Sequence, residues 1–235
     1  MSQMLSWGAY HWHEYGIDEL LPPASGERAV ALLLGCGDAG EKPFLVEAGF
    51  RPLGVDVRQT GGGADVIADA HSLPLADACV DLVLSMQVLE HLRAPWLAAA
   101  EVTRVLRPGG CFVGSVAFLK PYHGSYFHMT HEGVRQLFLQ AGLATDTLFG
   151  AQSLTYSLYD WMIPVLSQRA KRRLLGSIDR LLFAARTLAW RLTRRKDPNA
   201  ESQRFDEDFP LSFRTFDKLR VAPAVVFRAR KPTDS

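Results

Sequence analysis

Long apolar runs and closely spaced cysteines are both lacking in this chain of 235 residues. Its longest apolar stretch, 29–34, is far shorter than the roughly 20 residues that a membrane-spanning helix needs, so no transmembrane anchor is expected. Cys36, Cys79 and Cys111 form no close pair, which favours reduced thiols in a cytoplasmic protein over a disulfide framework. The first residues have neither a basic start nor a continuous apolar stretch, so no secretory signal is expected.

A large excess of one charge is also lacking, since the formal net charge is +1. The charges are unevenly distributed, however. The segment 169–196 contains ten Lys or Arg and a single acid, Asp179, whereas the rest of the chain has 16 bases and 24 acids. This basic segment is therefore expected to contact a different partner from the rest of the chain.

Short apolar runs alternate with helical patterns between residues 28 and 150, which is typical of βαβ units and a mostly parallel sheet. Thr130 is the predicted N-cap of the last helix in this region. The predicted strands are 29–34, 52–57, 65–68, 81–85, 111–116, 143–149 and 222–230. The predicted helices are 43–48, 95–106 and 132–141, each followed by a glycine-containing turn signal.

The first strand leads directly into a glycine-rich turn, LLLGCGDAG, before a helix. Gly35, Gly37 and Gly40 satisfy G-x-G-x-x-G, and Asp56 ends the next strand at the spacing of a ribose-binding acid. The pattern fits a dinucleotide, S-adenosylmethionine, or a tight turn without a ligand. The carboxylate of Asp38 disfavours a dinucleotide, because it would oppose the pyrophosphate at the helix N-terminus, whereas a cationic sulfonium and ammonium would suffer no such repulsion.

Five ordered blocks extend this pattern: LLLGCGDAG, GVDV, ADAHSLPLAD, VLSMQVLEHL and EVTRVLRPGGCFVGSV. Together they resemble the class I S-adenosylmethionine-dependent methyltransferases, in particular the type-11 group. The resemblance implies a Rossmann-like, doubly wound α/β sheet of seven strands, mostly parallel with an antiparallel last strand. It also implies a division into an N-terminal lid segment 1–27, a cofactor-binding core 28–150, a basic helical insertion 151–218, and the final strand with its tail 219–235.

S-adenosyl-L-methionine is the cofactor that the resemblance implies. Gly35 and Gly37 would approach its methionine moiety, Asp56 would hold the ribose hydroxyls, and Asp69 would face the adenine. Leu33 departs from the family where many members carry an acid, so Asp38 is the expected substitute, and Ala39 stands at the usual third glycine. The full set of implied cofactor-binding residues is Gly35, Cys36, Gly37, Asp38, Asp56, Val57, Asp69, Ala70, Ser85, Met86 and Gln87.

Catalytic candidates are three histidines on the predicted carboxyl side of the sheet: His91, His123 and His128. A base is needed only if the acceptor loses a proton as it attacks the methyl group. Pocket shaping by His91 and aromatic packing of the loop that contains His123 and His128 are the alternatives. No acid or cysteine joins the loop histidines at a zinc spacing, so no metal site is expected.

The leading functional hypothesis is direct, in-line methyl transfer to a small molecule, a saccharide or a lipid-linked acceptor. A non-catalytic cofactor-binding partner and a nicotinamide oxidoreductase are the alternatives. Nucleic acid is not favoured, because no base-gripping N-P-P-Y or D-P-P-Y motif is present. Read as a helix, the segment 169–196 has an apolar face and an arginine-rich face, which predicts either peripheral contact with an anionic inner membrane face or packing on the domain.

Overall fold

The computed structural model describes residues 16–120, 124–151 and 224–233, together with Leu181, Ala185 and Ala222. A 3-10 turn at Ile17–Leu20 precedes the first strand, and a second one lies at Leu89–His91. The strands are β1 (Val30–Leu34), β2 (Arg51–Asp56), β3 (Val66–Ile67), β4 (Val80–Met86), β5 (Leu106–Ala117), β6 (Ala144–Ala151) and β7 (Ala224–Arg230). The helices are α1 (Lys42–Glu47), α2 (Pro95–Val105) and α3 (His131–Gln140).

The seven strands of the described part form one sheet in the order β3-β2-β1-β4-β5-β7-β6. Pairing is parallel from β3 to β5, and β7 pairs antiparallel with both β5 and β6. The predicted fold class is therefore confirmed. The strand order reverses at β1, so the carboxyl ends of β1 and β4 flank the crevice in which sheets of this kind bind ligands.

Both faces of the sheet are covered, which explains why β1 has no polar alternation. Leu32 and Leu34 belong to one buried cluster, whereas Ala31 and Leu33 belong to the cluster on the opposite face. Side chains of α2 and α3 complete the first cluster, and α1 and the first 3-10 turn complete the second. A strand buried on both sides reads as a continuous apolar run.

Three phenylalanines form the centre of the first cluster. Phe112, Phe138 and Phe227 come from β5, α3 and β7, and their ring centroids lie 4.7 to 5.2 Å apart in tilted or edge-to-face arrangements. All three side chains are fully buried. This cluster fastens the antiparallel β7 to the parallel part of the sheet.

The start of β5 differs from the prediction. A strand beginning at residue 111 is expected after the Pro-Gly-Gly turn, but β5 begins at Leu106 and runs through that turn. The reason is that Gly109 N–H donates to the carbonyl of Lys231, and Lys231 N–H donates to that of Gly110. The pairing register with β4 shifts between Val80 and Leu82 to accommodate the extra residues.

The ends of the predicted helices agree with the structure to within about one residue, as expected for element boundaries. Thr130 is the N-cap of α3, as predicted, and its hydroxyl accepts a hydrogen bond from Gly133 N–H at 3.0 Å. Within the described residues, no helix combines the length and the apolar character required to cross a membrane.

Candidate functional site

The glycine loop turns the chain sharply after β1. Gly35 and Gly37 have φ angles of +68° and +52°, in the left-handed region that favours glycine. The N–H groups of Gly35 and Cys36 both donate to the carbonyl of Val55, which fixes the loop to β2. A Cβ at Gly35 would clash with Val88 beyond β4, at 2.5 Å, whereas a Cβ at Gly37 would have no atom of the described residues within 4 Å. The loop therefore packs tightly on one side and borders open space on the other.

Asp56 lies at the end of β2 with its carboxylate against this loop. One oxygen, Oδ2, accepts a hydrogen bond from Gly37 N–H at 2.9 Å, and the other accepts one from Arg58 N–H at 3.0 Å. The two bonds hold the half-buried carboxylate at the rim of the open space. The motif glycine and the predicted ribose-binding acid are thus adjacent in the fold, although 19 residues separate them in sequence.

Two further acids lie at the end of the loop. Asp38 is exposed, and its Oδ1 accepts a hydrogen bond from Gly40 N–H within the turn. Glu41, which the sequence analysis missed, is only 7% exposed at the start of α1. Burial, and to a lesser extent the nearby negative charge of Asp38, raise its pKa to about 7. A cation at this end of the loop would be attracted by Asp38 and would favour the ionised form of Glu41.

Cys36, a predicted cofactor-binding residue, and Ala39 complete the loop. Burial raises the pKa of the Cys36 thiol to about 11, and the negative charge of Asp56 also raises it, so this thiol stays protonated at neutral pH. Ala39 adopts φ +54°, the conformation that suits the glycine usually found there. Its N–H donates to the carbonyl of Cys36 at 2.6 Å, which helps to hold this strained turn.

Asp69 is held by His71, a residue that the sequence analysis did not single out although it lies in the ADAHSLPLAD block. The backbone N–H and the Nδ1 of His71 both contact Asp69 Oδ1, and these hydrogen bonds keep the pKa of Asp69 below its ordinary value. Nε2 of His71 accepts from Ala94 N–H at 3.3 Å, so Nδ1 is the protonated nitrogen of the neutral ring. His71 therefore orients the predicted adenine-facing carboxylate, next to the half-buried Ala70.

The end of β4 contributes Ser85, Met86 and Gln87 at different depths. Ser85 is fully buried inside the sheet, Met86 is half-buried, and Gln87 has 8% of its surface exposed. Gln87 adopts φ +57°, an unusual conformation for a residue with a side chain. Val57, the last predicted cofactor residue, is 65% exposed just beyond β2.

Glu90 is a second acid that the sequence analysis missed, since His91 was the only candidate named in the LEHL block. Glu90 is fully buried, and its Oε1 accepts a hydrogen bond from Ala117 N–H at the end of β5. Its backbone carbonyl accepts from the N–H groups of Tyr126 and Phe127. Glu90 thus joins the segments after β4 and β5 at the carboxyl edge of the sheet.

Two catalytic candidates lie on these joined segments. His91 and His128 are both exposed, and each directly follows a residue that takes part in the hydrogen bonds to the Glu90 carbonyl. His123 lies outside the described residues, as do the aromatic residues of the predicted lid segment before Gly16. No group of three His, Cys, Asp or Glu within the described ranges is arranged to hold a metal ion.

Replacing Glu90 by glutamine is expected to change how stability depends on pH. Burial raises the pKa of Glu90 to about 7 from 4.5, so the folded protein binds this proton more tightly than the unfolded chain. The tighter proton binding raises the free energy of unfolding by about 3 kcal/mol below pH 4.5, and this stabilisation is lost as the pH rises through 7. Between pH 4 and pH 8, the free energy of unfolding of Glu90→Gln should therefore rise by about this much relative to that of wild type.

Urea unfolding at pH 4, 6 and 8 measures this difference. Glu47→Gln is the matched control, because Glu47 is exposed at the end of α1, and its profile should follow that of wild type. Parallel profiles for Glu90→Gln and wild type would show that Glu90 ionises in the folded protein as it does in water.

Residues 32–114, from β1 to the end of the parallel pairing of β5, match the model of the methyltransferase domain family. An uncharacterized methyltransferase of Mycobacterium avium (strain 104) is 35% identical over 130 residues, which cover 49% of this chain and 51% of that protein. An uncharacterized methyltransferase of Mycobacterium leprae (strain Br4923) is 35% identical over 114 residues, or 43% of this chain and 42% of that one. The chain thus spans about half the length of the curated relatives it matches.

Solved structures share the fold at lower identity. An S-adenosylmethionine-dependent methyltransferase from Mesorhizobium loti superposes with a TM-score of 0.54 at 17% identity, covering 95% of this chain and 98% of the other. Geranyl diphosphate C-methyltransferase from Streptomyces coelicolor A3(2) gives 0.59 at 12% identity, covering 93% and 76%. Residues 32–114 are thus similar to methyltransferase domains, and the solved structures share the fold of the sheet.

Proposed function

We propose that this protein binds S-adenosylmethionine at the glycine loop and transfers its methyl group to an acceptor bound above β4 and β5. The observation that most directly supports this proposal is the hydrogen bond from Gly37 N–H to Asp56 Oδ2, beside open space. A carboxylate at the rim of such a space can accept hydrogen bonds from the two ribose hydroxyls. The bound cofactor supplies an electrophilic methyl group, and residues of the chain hold that group in position for transfer.

The residues of the loop fit this cofactor. A ligand can approach the backbone at Gly37, since the space that a side chain would fill is open. Asp38 and Glu41 are acids that suit the positive charges of the sulfonium and ammonium groups. Position 33, where many family members carry an acid, is a leucine in this chain, and Glu41 joins Asp38 as a substitute for that acid. Asp69, oriented by His71, suits the exocyclic amine of the adenine.

Methyl transfer to the acceptor needs alignment of two reacting atoms, which positioning alone can accelerate strongly. Met86 is the last residue of β4 and Gln87 directly follows it, at the point that faces the methionine end of the cofactor in this proposal. His91 and His128 are the described candidates for a base, and His123 stays a prediction. The acceptor remains a small molecule, a saccharide or a lipid-linked compound, as the sequence analysis proposes.

Substituting alanine for Asp56 tests cofactor binding. The variant should bind S-adenosylmethionine and S-adenosylhomocysteine more weakly by about 1 to 3 kcal/mol, or roughly 5- to 150-fold, since the ribose hydroxyls lose a charged acceptor. Isothermal titration calorimetry measures both affinities. Asp77→Ala is the matched control, because Asp77 lies before β4 at the opposite edge of the sheet, where it pairs with Arg104. Unchanged affinity in Asp56→Ala, or tight NAD binding without S-adenosylmethionine binding, would contradict the proposal.

Turnover separates an enzyme from a cofactor-binding partner without activity. Incubation of cell extracts with the protein and S-adenosylmethionine labelled in its methyl group should label an acceptor, which mass spectrometry then identifies. Asp56→Ala should reduce the labelling. The distinction matters because the same fold also occurs in a [4+2]-cyclase, SpnF, at a TM-score of 0.57 and 18% identity, covering 98% of this chain and 85% of that one.

Membrane contact through the segment 169–196 remains a prediction. Most of this segment lies outside the described residues. Leu181 and Ala185, two positions of its predicted apolar face, are described as helical and exposed, with 71% of the Leu181 surface accessible. Exposure of these two positions is compatible with a helix that docks on an anionic surface. A lipid-linked acceptor would follow from such docking.

A further inference from the structure

A chain of hydrogen bonds leads from β5 to a lysine above the carboxyl ends of the strands. Gln87 N–H donates to the carbonyl of Ser115 at 2.9 Å, and its Nε2 donates to Ser115 Oγ at 3.2 Å. Its remaining amide atom, Oε1, accepts a hydrogen bond from Lys120 Nζ at 3.3 Å. The amide of Gln87 is thus held at both ends, and its oxygen faces Lys120.

The backbone of Gln87 has a strained conformation that produces this arrangement. A residue with a side chain rarely adopts φ +57°, because its Cβ then lies too close to the following carbonyl oxygen. Such strain persists where the surroundings hold it, and it often occurs at functional sites. Here the two bonds to Ser115 hold it, and the result is a side chain that reaches from the end of β4 to the residue three positions beyond β5.

Lys120 lies three residues beyond the end of β5 and is linked through Gln87 to the end of β4. The residue after Gln87, Val88, packs against Gly35 so closely that a Cβ there would lie 2.5 Å from it. Lys120 itself is half-buried. Burial lowers the pKa of its ammonium group, while the nearby negative charge of Glu90 raises it. The lysine therefore lies beyond the carboxyl ends of β4 and β5, where the proposed function places the acceptor.

The charged groups on the two sides of the proposed site differ in sign, except for the buried Glu90 near Lys120, whose pKa of about 7 leaves it partly protonated at neutral pH. Carboxylates line the cofactor side, at Asp38, Asp56 and Asp69. On the acceptor side lie Lys120 and, farther out, Arg93, whose Nε donates to the Tyr126 hydroxyl and whose guanidinium lies 5.7 Å from that ring. An ammonium group close to a cationic sulfonium is repelled unless an anion lies between them.

We propose that Lys120, oriented by Gln87, binds an anionic group, a carboxylate or a phosphate, of the methyl acceptor. This inference rests on the proposed function, since it assigns the acceptor side of the same site. An acceptor of this kind neutralises the ammonium and is drawn toward the cationic methyl donor. Lys120 acts as an anchoring residue that contacts the acceptor, and Gln87 is a positioning residue that acts through Lys120.

Calorimetry on protein saturated with S-adenosylhomocysteine tests the proposal, with inorganic phosphate and acetate as probes. Wild-type protein should bind at least one of the two anions. Lys120→Met should weaken that binding by about tenfold or more, as expected for the loss of a hydrogen bond to a charged group, whereas Lys120→Arg should retain it. Binding of phosphate alone indicates a phosphorylated acceptor, and binding of acetate indicates a carboxylic acid.

The matched control is Lys231→Met, because Lys231 is also half-buried and donates to a single oxygen, that of Leu106, at the opposite edge of the sheet. It should bind the anions like wild type. Equal anion binding by Lys120→Met and wild type, or no anion binding by wild type, overturns the proposal. S-adenosylhomocysteine affinity, measured on the same samples, confirms that Lys120→Met is folded. If wild-type protein does not bind S-adenosylhomocysteine, the proposed function is refuted instead.

Discussion

Replacing Gly37 by valine is expected to weaken S-adenosylhomocysteine binding by about 100-fold or more, equivalent to about 3 kcal/mol. Gly37 has φ +52°, and no atom in the part of the chain that the structure describes lies within 4 Å of its missing Cβ. A valine side chain would enter the space that the proposed cofactor needs. It would also strain the backbone, because a β-branched residue rarely adopts this region. Calorimetry and thermal unfolding together separate the two effects.

The matched control for the strain is Gly142→Val. Gly142 has φ +80°, and its missing Cβ would meet only Thr103 Cγ2 at 4.0 Å, but it lies in an exposed turn between α3 and β6, away from the glycine loop. Both variants should lose a similar amount of stability, about 1 to 2 kcal/mol, from the left-handed conformation. Only Gly37→Val should lose cofactor affinity. Normal binding by Gly37→Val would mean that the loop is a structural turn and that the cofactor lies elsewhere.

Replacing Gly114 by alanine is expected to destabilise the fold by about 3 kcal/mol or more. Gly114 lies in β5 opposite Ser85 of β4, and a Cβ at this position would be 2.0 Å from the carbonyl oxygen of Ser85 and 3.0 Å from the ring of Phe227. Neither neighbour can move freely, because one is the backbone of a central strand and the other belongs to the phenylalanine cluster. The sheet itself must shift.

Denaturant unfolding measures this loss, and Gly133→Ala is its control. Gly133 lies in the first turn of α3, where a Cβ would be in ordinary contact with Thr130 Oγ1 at 3.5 Å. Alanine there should be neutral or stabilising by up to about 1 kcal/mol, since it favours the helix. A Gly114→Ala protein as stable as wild type would show that β4 and β5 can separate locally without loss of packing.

The parallel half of the fold was predictable because local patterns determine it. Strands β1, β2 and β4 are apolar runs that end in turn residues, and their order follows from the βαβ arrangement. The contact between Asp56 and the glycine loop was also foreseeable, since the carboxyl ends of adjacent parallel strands meet at one edge. Motif spacing is sufficient to predict such a contact where strands that are consecutive in the chain are also adjacent in the sheet.

The acceptor side was less predictable because it depends on contacts between distant segments. Nothing in SMQVLEHL indicates that Gln87 adopts a left-handed conformation or that it faces Lys120, 33 residues later. Glu90 was overlooked for the same reason, since its burial results from the packing of the segment after β5. An acid next to a motif histidine, followed by a lysine after the next strand, is the signal that could have drawn attention to these residues.

The position of β7 in the sheet affects the order in which a newly synthesised chain can fold. β7 lies between β5 and β6, although it follows β6 by the whole stretch 152–223. During synthesis, β6 therefore lacks its partner β7 until the ribosome has passed residue 230. Until then β5 also lacks β7, and within the described strands its row of backbone N–H and C=O groups on that side is open to pairing with other chains. A chaperone that covers this edge would act between the synthesis of β5 and that of β7.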